Sequence, residues 1–150
     1  MNSNEKLSVR GKLNIVLTDE NGNIKDQREV DNLVVSAGIT YIASRMKDAT
    51  ATAMTHMALG SSTTAAVAGQ TDLITLVGSR QLLSTTTANA TNIVYVAAFG
   101  AGVSTGAITE AGIFNAASAG TMLCRTVFAV VNKGAGDSMS ITWTITLTAV

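Results

Sequence analysis

His56 is the single histidine in the chain, and a hydrolytic triad or a zinc site would have to be built on it. It stands in Met54-Thr55-His56-Met57, with no second histidine or cysteine nearby in sequence, so a strand residue with one satisfied ring nitrogen is the better reading. The carboxylates are as sparse. Asp26, Glu29 and Asp31 interleave with Lys25 and Arg28, the pattern of a solvated strand face rather than of an acid–base pair. Asp19-x-Asn21-x-Asn23 has the start of a calcium loop, but that loop needs glycine where Ile24 stands and an acidic ligand where Val30 stands. A hairpin turn accounts for it better. The segment Gly100–Gly106 lacks the Lys-Ser/Thr pair of a phosphate loop and opens no amphipathic helix. No catalytic residue, cofactor-binding residue or metal ligand is assigned, and no cofactor is expected.

Three further residues carry a structural expectation. Trp143, between Ile141 and Ile145, is expected in the core. The functional alternative is a sugar-stacking platform, which would expose Trp143, Tyr41 or Tyr95. Glu110 and Arg125 are charges embedded in apolar strands, and an unpaired buried charge is costly. They are expected to pair, within one sheet or across a subunit interface.

The elements that would position these residues are mostly strands. Met139, Ile141, Trp143, Ile145, Leu147 and Ala149 alternate with Ser140, Thr142, Thr144, Thr146 and Thr148, which makes one strand with an apolar face and a hydroxyl face. Such a strand must sit inside a sheet or under cover, because bare it would template aggregation. Residues 9–18 and 24–35 alternate similarly around Asp19-Glu20-Asn21-Gly22-Asn23, a hairpin signal. Ser36 is expected to cap a short helix whose apolar positions are Ile39, Ile42, Ala43 and Met46, a lid on a sheet face.

Further strands are expected over 54–59, 81–87, 92–99, 108–115 and 121–132, with a long loop over 61–72. Residues 73–77 fit a strand or a helical turn equally. Strands at this spacing predict one all-β domain over 1–150, mainly an antiparallel β-sandwich of jelly-roll type with one short helix. Residues 1–50 form its charged hairpin-plus-helix part.

The formal charge is zero, with ten basic and ten acidic side chains, so no electrostatic bias toward nucleic acid is visible. Its distribution says more. Residues 51–150 hold six charges (Asp72, Arg80, Glu110, Arg125, Lys133 and Asp137), and the other fourteen lie in the first fifty residues. Globular surfaces normally carry far more. A surface packed against other subunits is the sharper explanation, and an obligate homo-oligomer is expected. The lone Cys124 offers no intrachain disulfide and sits in an apolar strand as a small hydrophobe. Met1 to Lys12 has no signal-peptide core and no run approaches membrane-spanning length, so synthesis in the cytoplasm and no membrane partner are expected.

Several segments together resemble small structural proteins and fibre-like domains of tailed bacteriophages. They are Met57-Ala58-Leu59-Gly60-Ser61-Ser62-Thr63-Thr64 with its loop to Asp72, Glu110-Ala111-Gly112-Ile113-Phe114-Asn115, and Gly120 to Phe128 running into Trp143-Thr144-Ile145. The hairpin leading into Asn32-Leu33-Val34-Val35 and Ala37-Gly38-Ile39 resembles that group too. The resemblance implies a non-enzymatic virion component, assembled in the host cytoplasm. Its form would be an oligomeric, trimeric decoration (cement) protein that stabilises the capsid exterior against the major capsid protein or other virion proteins. The alternative is a tail, baseplate or fibre component that binds host-surface glycan. Candidate interface residues are Thr142, Thr144 and Thr146 on the hydroxyl face, with Glu110 and Arg125. The hairpin charges Arg10, Lys12, Lys25 and Arg28 are expected to face solvent or a partner.

Overall fold

The computed structural model describes residues 6–150. Its elements are β1 (Leu7–Thr18), β2 (Ile24–Val34), α1 (Ser36–Lys47), β3 (His56–Gly60), β4 (Leu76–Leu82), β5 (Thr85–Asn89), β6 (Asn92–Phe99), β7 (Gly106–Phe114), β8 (Met122–Lys133) and β9 (Ser138–Ala149). All the strands join one antiparallel sheet in the order β4-β3-β7-β8-β2-β1-β9-β6-β5. The terminal hydroxyl–apolar strand gets the cover its pattern demands. It pairs along its whole length with β1, from Leu7↔Ala149 to Thr18↔Ser138, and on its other edge with β6.

The sheet curls because its middle is weakly tied. β2 and β8 pair only at Leu33↔Arg125 and Val34↔Cys124, so the leaf β2-β1-β9-β6-β5 and the leaf β4-β3-β7-β8 share one core. Leu13, Ile15, Ile141 and Trp143 from the first leaf and Met57, Leu59 and Ile113 from the second are all at most 1% exposed. Truncating a side chain as large as Trp143 in such a core costs about 3–5 kcal/mol. Where the leaves part, Arg28 fills the gap. It grips Asp26 through two hydrogen bonds of 3.1 and 2.8 Å and donates to the carbonyls of Ala129 and Val130 on β8. Asp26 and Arg28 therefore serve the junction instead of lying on a solvated face.

The all-β class with one short helix is as the sequence indicates. The finer jelly-roll expectation is not carried by this strand order, because the two leaves are hydrogen-bonded into one sheet. Three local readings are corrected. The N-cap of α1 is Val35, which makes no side-chain cap bond, and Ser36 is the first helical residue. The buried face of α1 is Gly38 and Tyr41, while Ile39 and Met46 are 47% and 80% exposed. The cause is contact distance. A Cβ on Gly38 would overlap the Leu123 carbonyl oxygen, so glycine lets the helix backbone lie directly on β8. The expected strand over 81–87 is broken at Leu83-Ser84, whose amides donate to Thr55 and Val96 carbonyls as the chain crosses from one leaf to the other. Residues 76 and 77 of the undecided segment enter β4.

The last hairpin is locked by charge. Asp137 accepts from Lys25 Nζ and the Gly134 amide, both at 2.8 Å, and buried Lys133 donates to the Gly100 and Asp137 carbonyls. The Lys25 hydrogen bond first, then the Gly134 amide, hold the Asp137 carboxyl below its ordinary value of 3.8. Arg28 does the same for Asp26. A carboxylate whose folded pKa is depressed contributes stability that is present above the unfolded value and lost as pH falls through the folded one. Thermal stability is accordingly expected to fall as pH drops below about 4. Asp137→Asn should lower the melting temperature at pH 7 and flatten that acid limb, as read by circular dichroism melts across pH.

Candidate functional site

The groups that could have made a hydrolytic or calcium site have local partners. His56 Nδ1 lies 2.7 Å from Thr55 Oγ1, the satisfied strand residue expected. Asp19 Oδ1 accepts from the amides of Asn21 and Asn23, each at 2.9 Å, which closes the β1–β2 turn. Among the described residues, no three His, Cys, Asp or Glu side chains gather where they could hold a metal.

Glu110 and Arg125 pair within the sheet, on adjacent strands β7 and β8, and both side chains are fully buried. Arg125 Nε and Nη2 lie 2.9 and 2.8 Å from Glu110 Oε2. Their expected place at an intersubunit interface is corrected: they sit under the chain's own loop. The Glu110 carboxylate accepts amides of Ser62 and Ile74 at 3.2 Å and of Thr75 at 2.8 Å. Arg125 Nη1 reaches Gln70 Oε1 at 3.0 Å, which also takes the Val67 amide. Gly60 is required beside them, since a Cβ there would overlap Glu110 Oε1. The loop between β3 and β4 is thus pinned over the outer face of the second leaf. There Leu73 closes a second small core with Val35, Ala58, Phe114 and Met122.

The other charges of residues 51–150 are engaged in the same way. Arg80 donates to the Ala116 and Ala119 carbonyls, lies 3.6 Å over the Phe114 ring and pairs with Asp72 at 3.4 Å. Lys133 and Asp137 close the final hairpin with Lys25 from β2. Each of the six charged side chains in this region has an internal partner. The outward surface that residues 51–150 contribute is left hydroxyl-rich and poor in charge, with Asp72 its one largely exposed ionic side chain. Sequence reasoning isolated Glu110 and Arg125 but missed Gln70 and Arg80. Nothing local signals them, because Gln70 meets the Arg125 guanidinium 55 positions away and Arg80 meets the Ala116 and Ala119 carbonyls 36 and 39 positions away.

Three surfaces remain. On the outer face of the first leaf, Thr142, Thr144 and Thr146 line a groove of about 650 Å³ with Arg10, Lys12, Asn14, Glu29 and Asp31. Thr142 is exposed and Thr144 and Thr146 are half-buried, so these three expected interface residues are brought together on an open face. The charges beside them are of mixed sign, and Lys12 lies 3.8 Å from Glu29. Arg10 and Lys12 face that groove as expected of the hairpin, whereas Lys25 and Arg28 turn to internal partners. The second surface is an apolar groove of about 400 Å³ between α1 and the β5-β6-β9 edge, walled by Tyr41, Ile42, Met46, Met54, Ile93 and Leu147. The third is β5 itself. Its five residues are all exposed and it ends the sheet.

Every aromatic side chain in the chain is buried: Trp143, Phe99 and Phe114 fully, and Tyr41, Tyr95 and Phe128 to within 9% exposure. No aromatic platform stands on the surface for sugars or bases to stack on. Burial also raises the Tyr95 hydroxyl and the Cys124 thiol above their ordinary ranges, which keeps both neutral. No helix among the described residues is long and apolar enough to cross a membrane. No protein-family model, curated protein or solved structure matches this chain.

Removing the carboxylate tests the pin. Glu110→Ala strands a buried guanidinium and three loop amides, and is expected to cost about 3–5 kcal/mol in denaturant unfolding. Amide exchange over residues 61–75 should accelerate more than over β1 and β9. Unchanged exchange in that loop would mean that something other than Glu110 holds it.

Proposed function

We propose that this chain is a non-enzymatic structural subunit of a tailed-phage virion, an oligomeric decoration protein that binds the capsid exterior. The observation that carries the reading is the use of charge. Six charged side chains in a hundred residues all have internal partners and only that of Asp72 is largely exposed, so the outer surface of this region is poor in charge, hydroxyl-bearing and edged by an unprotected strand. Such a surface solubilises a lone subunit poorly and suits close packing against other subunits. The resemblance of Met57–Thr64, Glu110–Asn115 and Gly120–Phe128 to small phage structural proteins points the same way.

The glycan-binding alternative at the tail is less well supported. It asks for an exposed ring at Trp143, Tyr41 or Tyr95, and these are 0%, 9% and 6% exposed. A catalytic reading would have to rest on Thr55 and His56, adjacent in sequence and 2.7 Å apart, and among the described residues no carboxylate hydrogen-bonds to the His56 ring to orient it.

Purified protein should co-sediment with head shells of the encoding phage prepared without it, saturating at a fixed number of copies per shell. It should not accumulate on isolated tails. Saturable binding to tails alone would move the subunit to the tail, and a well-dispersed monomer that binds neither would overturn the reading.

A further inference from the structure

We infer that β5 pairs edge to edge with β5 of a second copy of this chain, about a two-fold axis at Thr87, extending the first leaf across two subunits. The inference rests on the assembly reading above and names the contact through which one subunit meets another. β5 (Thr85-Thr86-Thr87-Ala88-Asn89) hydrogen-bonds to β6 on one side and, among the described residues, has no strand on the other. All five of its residues are exposed. Natural edge strands are blunted by charge, proline, bulges or cover, because unpaired N–H and C=O groups recruit other strands. None of these devices protects β5. The chain has no proline, the β5–β6 register runs unbroken from Thr85↔Val96 to Asn89↔Asn92, and residues 81–109 carry no charged side chain.

Charge also selects the occupant. A two-fold antiparallel contact sets each residue opposite its counterpart: Thr87 against Thr87, Thr86 against Ala88, Thr85 against Asn89. A charge on the axis would repel its own copy, and β5 places an uncharged threonine there and no charge at the four flanking positions, so nothing opposes the arrangement. A partner recognised through salt bridges would find nothing to grip between residues 81 and 109. Centring on Thr87 is the register that pairs all five residues; centring on Thr86 or Ala88 pairs three. Below the strand, Thr86 and Ala88 line the apolar groove whose wall includes Met46, 80% exposed. The two-fold axis brings the two grooves side by side and adds apolar burial to the main-chain hydrogen bonds, which a five-residue strand alone needs.

The test is the oligomeric state by sedimentation equilibrium across the micromolar range. The wild type is expected at multiples of two of the 15.4 kDa chain mass. Thr87→Lys puts two ammonium groups across the axis and should weaken self-association about a hundredfold, with Trp143 emission unchanged. Thr87→Glu should behave likewise, and an equimolar mixture of the two variants should regain the dimer. Thr87→Cys provides an independent readout, since Cys124 is buried and the new thiol is the exposed one. Opposed Cα atoms in an antiparallel pair lie about 4.5–5.5 Å apart, within disulfide reach, so diamide should convert this variant to a covalent dimer. A monomeric wild type, association unchanged in both charge variants, or no cross-link in Thr87→Cys overturns the proposal. Shell binding by a wild type that never dimerises would remove this contact and leave the assembly reading standing. Dimerisation without shell binding would do the reverse.

Discussion

A carboxylate buried between two strands organises much of this fold. Glu110 takes an Arg125 guanidinium and three backbone amides from a loop with no regular structure of its own. A buried ion pair is by itself weak grounds for stability, since the desolvation of both ions offsets their attraction. Here the pair does something an apolar pair could not. It supplies acceptors for three part-buried loop amides, and Arg125 adds Gln70 to the same network. The loop then seals the second core, and its Ala68 carbonyl accepts the Ser36 amide that opens α1. That helix in turn walls the apolar groove beside β5. The interaction surface is thus tied to a charge pair it never touches.

The same economy governs the other charges of residues 51–150. Arg80 ties the β7–β8 turn to Phe114 and Asp72, and Lys133 with Asp137 ties the β8–β9 turn to β2. Turns fastened by buried side chains need no proline, and the chain has none. The consequence is a division of surfaces. The β1–β2 hairpin carries mixed charge outward at Lys12, Glu29 and Asp31, whereas β5, β6 and β9 turn outward threonine, valine and asparagine. The two meet along Thr142, Thr144 and Thr146, where β1 and β9 lie side by side.

The strands with strict alternation were legible in the sequence nearly to the residue. β9, β1 and β6 are buried on one face and paired on both edges, so period-two hydrophobicity had to be kept. Where tertiary contact overrode local pattern, legibility failed. The apolar stripe of α1 pointed to Ile39 and Met46, but the close approach permitted by Gly38 turned Tyr41 inward instead. The break at Leu83-Ser84 has no local punctuation, since what bends the chain is a pair of hydrogen bonds to Thr55 and Val96. The ion pair was visible as two charges in apolar strands, but its partner surface was not. A loop of Ser, Thr, Ala and Gly gives no sign in sequence that its amides converge on one carboxylate.

The central claim is that the charge-poor surface of residues 51–150 is where this chain meets its neighbours. Amide hydrogen exchange compared between the subunit diluted to monomer, below the range in which it self-associates, and the subunit bound to head shells tests it directly. The account predicts new protection in β5 and along the outward face of β6 and β9, with the loop over Glu110 and Arg125 already slow in both states. Protection confined to the charged β1–β2 hairpin, with β5 exchanging as fast on the shell as in solution, would contradict it.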